Sequence, residues 1–191
     1  MKEVDAGTTS TRPNGIDVRT IAEVGIAVAL AAVLSLIPAF ELPQGGSVSL
    51  EMIPLLFLAV RRGPKIGVWA GVIYGLINLI MKPYIVHPAQ VVLDYPLAFG
   101  LVGLAGLIKP DSLVKVGVGT ILGGLARFAA SYVSGVIFWA SNAPKGQSAW
   151  LYSLIYNSSY MLPSTLVAIP IVYALLQAFK KAGIGEPLTR S

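Results

Sequence analysis

Long apolar runs separated by short polar clusters organise this chain. After a polar lead, Met1–Asp17, the first run covers Ile21–Phe40. Within it Gly25, Ala29 and Ala32 form a smooth strip suited to close helix packing. A glycine-rich stretch, Glu41–Ser49, then leads to a shorter run, Leu50–Val60, which halts at Arg61-Arg62-Gly63-Pro64-Lys65. Further helices are predicted over Ile66–Met81, Pro88–Ile108 and Val116–Ala140, and a long last one over Ala149–Phe179 with a kink at Pro163 or Pro170. A spanning helix needs about 20 apolar residues, and Leu50–Val60 is too short for that. Taken as a second, short helix with Gly45-Gly46 ahead of it, this stretch implies that the loop backbone before it dips to membrane depth, which is tolerated only where it is buried in protein or lines a cavity. The fold class expected is therefore an all-α integral membrane protein, a bundle of six transmembrane helices. Residues 1–18 and 182–191 read as tails and 19–181 as the membrane domain.

Composition agrees with the pattern. Of 191 residues 55% are hydrophobic and 12% charged, with mean hydropathy +0.74; a soluble domain carries about 25% charged residues. The lead is too long and polar for a signal peptide. Cysteine is absent, which excludes disulfides and thiolate chemistry, and a single histidine argues against a zinc site. The net charge of +5 is a matter of topology and not of nucleic acid. With both termini in the cytoplasm, eleven of the 14 cationic residues fall inside, among them Arg61, Arg62, Lys65, Lys109, Lys115, Lys180 and Lys181. Only Lys82 and Lys145 fall outside, with Arg127 within a helix, as the positive-inside rule predicts. The expected location is the cell membrane, with lipid around the bundle.

Candidate chemistry centres on Asp94, set among Val91, Val92, Leu93, Leu97 and Phe99. An intramembrane carboxylate costs on the order of 3 kcal/mol even on a permissive scale, so it faces a cavity or a partner. Either Asp94 and Arg127 brace the bundle as a pair, or Asp94 accepts hydrogen bonds from a cationic or amino-bearing ligand. With His87 as cap and Pro88 at the first helical position, His87, Gln90 and Asp94 share one face, predicted to line a pocket with the helix N-terminus at its mouth. Arg127, Ser131, Ser134 and Phe138 form a stripe on the fifth helix, ending beside Trp139. Tyr152, Tyr156, Ser159 and Tyr160, with Asn157 beside them, form a face of the sixth. Taken singly, the rings suit an interfacial belt; together with one carboxylate and one amide they suit a flat, positively charged small molecule entering from outside. His87 has no partner for acid–base or nucleophilic work, so an enzyme is not expected. No Walker A pattern is present, so any ATPase is another chain.

Several stretches carry a family resemblance: Gly45-Gly46-Ser47-Val48-Ser49 with Ile53-Pro54, Arg61-Arg62-Gly63, HPAQVVLDY (His87–Tyr95), SGVIFW (Ser134–Trp139), APKG (Ala143–Gly146) and YSLIYNSSYMLPS (Tyr152–Ser164). In these the chain resembles the thiamin-specific substrate-binding components of energy-coupling factor transporters, the ThiT family, from Ile21 to Phe179. The resemblance implies a thiamin pocket near the extracellular surface. Trp139 would stack on the aminopyrimidine ring and Asp94 would bind the polar or cationic part. Tyr95, Tyr152 and Asn157 would supply hydrogen bonds, with Tyr84 in contact from the outer turn. Gly25 and Ala29 would dock on a transmembrane coupling subunit that works with two ATPase subunits; thiamin is then cargo, and no cofactor is implied. Ser131 stands where many members have histidine, Asp94 where some have glutamate, and neither Gly45 nor Gly46 supplies the lid tryptophan of some members. These departures keep thiamin phosphates and the pyrimidine moiety open as ligands. The competing reading is an autonomous ion-coupled carrier in which Asp94 is the proton or sodium site.

Overall fold

A computed structural model describes residues 17–42 and 46–184; most of both expected tails, and Gly45, lie outside the described residues. Six helices form the bundle. They are α1 (Val18–Ser35), α2 (Met52–Arg62), α3 (Pro64–Met81), α4 (Pro88–Leu107), α5 (Leu113–Phe138) and α6 (Ala149–Lys181). All but α2 are long and apolar enough to cross a membrane. Their ends follow local chemistry. Asp17, Ser112 and Ser148 cap α1, α5 and α6 by accepting the backbone N–H three residues on, and Pro64 and Pro88 occupy first helical positions.

The short run is the second of the six expected helices. At 11 residues, α2 rises about 16 Å, roughly half the hydrocarbon thickness. It survives at that length because the other helices surround it. Leu55, Leu56, Ala59 and Val60 are essentially inaccessible, and the core cluster extends from them to Tyr74, Phe99 and Val172. Ahead of α2, the expected glycine-rich loop is a small antiparallel hairpin, β1 (Phe40–Glu41) with β2 (Ser47–Val48), in register Phe40↔Val48 and Glu41↔Ser47.

Helix α4 is not the single regular helix that the sequence pattern predicted. It is α-helical over Pro88–Val92, widens to a π turn over Leu93–Leu97, resumes over Ala98–Val102 and tightens to a 3-10 turn over Gly103–Leu107. Pro96 explains the widening, since it has no N–H to close the turn below and its ring crowds the preceding one. The irregular segment is held by backbone-to-backbone packing on α3. A Cβ at Gly71 would lie 2.0 Å from the Phe99 carbonyl oxygen, and one at Gly75 would lie 2.5 Å from that of Tyr95. In α6 the helix runs continuously through both Pro163 and Pro170.

Candidate ligand-binding site

Between the hairpin, the turn joining α3 to α4, the N-terminal parts of α4 and α6 and the C-terminal half of α5 lies a cavity of about 380 Å³, within the range of small-molecule sites. Seven of the residues singled out from sequence line it: Tyr84, Asp94, Tyr95, Ser131, Trp139, Tyr152 and Asn157. The π turn places Asp94 there, and such turns recur at functional sites. Its Oδ2 accepts from Gln90 Nε2 at 2.7 Å, and Ser134 and the Trp139 indole are further polar neighbours. Tyr84 and Trp139 form an aromatic wall, their ring centroids 5.0 Å apart and tilted by 51°. Tyr152 and Tyr156 lie on the α6 side with centroids 5.9 Å apart.

The suggested brace between Asp94 and Arg127 does not form. Arg127 Nη2 meets Glu51 Oε1 at 3.1 Å, and its guanidinium lies 4.1 Å from the Phe99 ring centroid. Glu51, which the sequence reading passed over, sits at the foot of the hairpin immediately before α2. It is only 5% exposed, and it also accepts from the Tyr74 hydroxyl at 2.7 Å, which in turn accepts from Asn78 at 3.1 Å. The signal was available: a lone acid heads an unbroken apolar run, and Arg127 needs an anion. It was missed because only Asp94 and Arg127 were read as charges within helices.

Charge therefore sums simply in the cavity lining. Glu41 pairs with Lys82 at 3.0 Å and Glu51 with Arg127, whereas Asp94 has no cation within ion-pair distance among the described residues. One carboxylate is uncompensated beside an aromatic wall. That arrangement favours a cationic ring with hydrogen-bond donors on its edge.

Other side chains hold the lining in place. The Tyr95 hydroxyl donates to the Lys82 carbonyl and accepts from the Tyr84 N–H, both at 2.9 Å. Asn157 donates to the Ser153 carbonyl at 2.9 Å and accepts from the Tyr160 hydroxyl at 2.8 Å. Both groups, expected to serve a ligand, are thus also engaged within the protein, Tyr95 tying α4 to the turn before it and Asn157 bonding along α6. The predicted stripes are partly redistributed. His87 caps α4 through Nδ1 and stacks on Phe138, their ring centroids 5.1 Å apart, and neither lines the cavity. Ser134 is buried beside Asp94, while Ser159 faces outward and bonds the Tyr156 carbonyl. Gly46 closes the hairpin side; its N–H donates to Tyr156 Oη at 3.0 Å, and a Cβ there would lie 2.7 Å from the Tyr160 ring. Gly25 and Ala29 do not line the cavity and are exposed on α1.

Comparison with known proteins gives this geometry its context. The family described as thiamine transporter protein (Thia_YuaJ) matches residues 21–183. The chain is 37% identical to the thiamine transporter ThiT of Bacillus subtilis (strain 168), over 81% of this chain and 88% of that protein. It is 36% identical to ThiT of Lacticaseibacillus paracasei, over 82% and 86% respectively. A solved structure of ThiT from Listeria monocytogenes superposes with a TM-score of 0.79 at 32% identity, covering 85% of this chain and 96% of that one. The S component of a bacterial ECF transporter shares the fold alone, with a TM-score of 0.60 at 16% identity over 87% and 98% of the two chains. A match that runs through all six helices, with relatives well above 30% identity over four-fifths of the chain, places this multi-pass membrane protein in the thiamine transporter family, among transporters and not enzymes.

Proposed function

We propose that the chain is the thiamin-binding component of an energy-coupling factor uptake transporter. It takes thiamin at the extracellular face and passes it inward together with a transmembrane coupling subunit and two ATPase subunits. The observation that carries the reading is the single uncompensated carboxylate, Asp94, next to the Tyr84–Trp139 wall in a cavity of ligand size. Thiamin joins a permanently cationic thiazolium to a flat aminopyrimidine, so it matches both features. In this reading Trp139 stacks on the pyrimidine and Asp94 accepts from its amino edge. Tyr84, Ser131 and Tyr152 complete the contacts. Tyr95 and Asn157 offer the acceptor capacity left over from their internal bonds.

The distribution of basic residues supports an orientation with both termini cytoplasmic, the cavity opening outward and lipid around the bundle. The exposed Gly25 and Ala29 allow another helix to approach α1 closely, and we assign docking of the coupling subunit to that face. No nucleic-acid partner enters this reading. Calorimetric titration of the purified protein with thiamin, its phosphates and the free pyrimidine tests the ligand; absence of thiamin binding would end the reading. Uptake into vesicles tests the energy source. Transport by this chain alone under an ion gradient would favour an autonomous carrier instead.

A further inference from the structure

The turn between α3 and α4 leaves its backbone polar groups to side chains of α4. Tyr84 N–H donates to the Tyr95 hydroxyl, Tyr84 C=O accepts from Gln90 Nε2 at 3.1 Å, and Val86 N–H donates to Gln90 Oε1 at 3.1 Å. Gln90 is 1% exposed and one helical turn from Asp94. Its amide has only one workable orientation. A backbone N–H must meet its oxygen and a backbone carbonyl must meet its NH2 group, so NH2 also faces Asp94. The 2.7 Å contact therefore runs from Gln90 Nε2 to Asp94 Oδ2, and that carboxylate oxygen is held as an acceptor. The same amide grips the peptide of Tyr84, whose ring leans on Trp139.

We propose that Gln90 is a positioning residue that sets ligand specificity: it fixes Asp94 as an acceptor and ties that acceptor to the Tyr84–Trp139 wall, so the pocket selects a flat ring with an N–H donor on its edge. This rests on the thiamin reading above and adds the residue that imposes the choice. Without Gln90, Asp94 loses the donor held on Oδ2, and the wall loses its registration with the carboxylate. The discrimination then fades more than ring binding does.

The test measures affinity by titration calorimetry for thiamin and for an analogue lacking the pyrimidine amino group. Wild-type protein is expected to prefer thiamin by about 10- to 100-fold, the worth of a hydrogen bond to a charged acceptor. In Gln90→Met the thiamin affinity should fall more than about tenfold and that of the analogue less than about threefold, collapsing the ratio. Asp94→Asn should collapse it as well, and the double variant should lose no more discrimination than either single one, since both act on the same bond. An equal loss for the two ligands would make Gln90 a merely structural tie and overturn the proposal, as would an unchanged ratio or additive effects in the double variant. Should Gln90→Met not purify folded, Gln90→Leu removes both donors without adding a second carboxyl beside Asp94, and the same ratio decides. Failure of wild-type protein to bind thiamin would instead overturn the functional reading.

Discussion

Replacing Glu51 by Gln tests how the floor of the cavity is held. The carboxylate serves two donors at once, Arg127 Nη2 at 3.1 Å and the Tyr74 hydroxyl at 2.7 Å, and both partners come from elements distant in sequence. A carboxamide can turn its oxygen to one of them only. At 3.1 Å the Coulomb attraction amounts to about 5 kcal/mol for an effective dielectric near 20. Relief of the carboxylate's own desolvation offsets part of this, and removal of one partner from a buried pair costs about 3–5 kcal/mol. Arg127 is ill placed to find a substitute, since its Nε is buried and makes no hydrogen bond among the described residues. With each kcal/mol worth roughly 2–4 °C at this chain length, the midpoint of thermal unfolding should drop by roughly 6–20 °C. The measurement is unfolding in detergent followed by near-ultraviolet circular dichroism. Glu51→Met with Arg127→Met removes both charges and should recover most of the loss, because the desolvation penalty goes with them. A single variant within about 2 °C of wild type, or a double variant no more stable than the single one, would refute the claim that this pair holds the floor.

Asp94→Asn should lower thiamin affinity by about 10- to 100-fold in calorimetry while leaving thermal stability unchanged or raised, since it removes a charge that no cation compensates. Trp139→Ala should weaken binding about tenfold and abolish most ligand-induced quenching of tryptophan fluorescence, Trp69 and Trp150 being exposed elsewhere; undiminished quenching would remove Trp139 from the site. Gly75→Ala should destabilise by about 1–3 kcal/mol in thermal unfolding, because its Cβ would press on the Tyr95 carbonyl and force α3 from the π turn. Gly46→Ala should speed ligand release in stopped-flow fluorescence, because the added methyl lifts the hairpin off Tyr160; a dissociation rate equal to wild type would contradict this.

Much of the architecture was legible along the chain, for reasons that differ by element. The five long helices announce themselves because a membrane demands unbroken apolar length, and their ends coincide with capping side chains and basic clusters. Gly71 and Gly75 were readable as a packing strip because only hydrogen at Cα permits the observed contact of backbone with backbone. Asp94 stood out because a carboxylate in apolar surroundings needs a reason. Helix α2 was legible as an apolar run too short to span; spanning length is set by lipid, whereas α2 is enclosed by protein and needs no such length. The π turn was missed because Pro96 in a predicted helix signals a disruption without specifying its form.

Sequence by itself determined the solvent for each segment, the candidate carboxylate and the rings around it, because hydropathy and charge are properties of single residues and their spacing. Only the tertiary structure decided which charges neutralise one another. Arg127 took Glu51, 76 positions away, and left Asp94 free. Pairing depends on which side chains meet across helices, at distances where an error of a few ångströms turns a brace into a binding site, and no spacing along one chain encodes that.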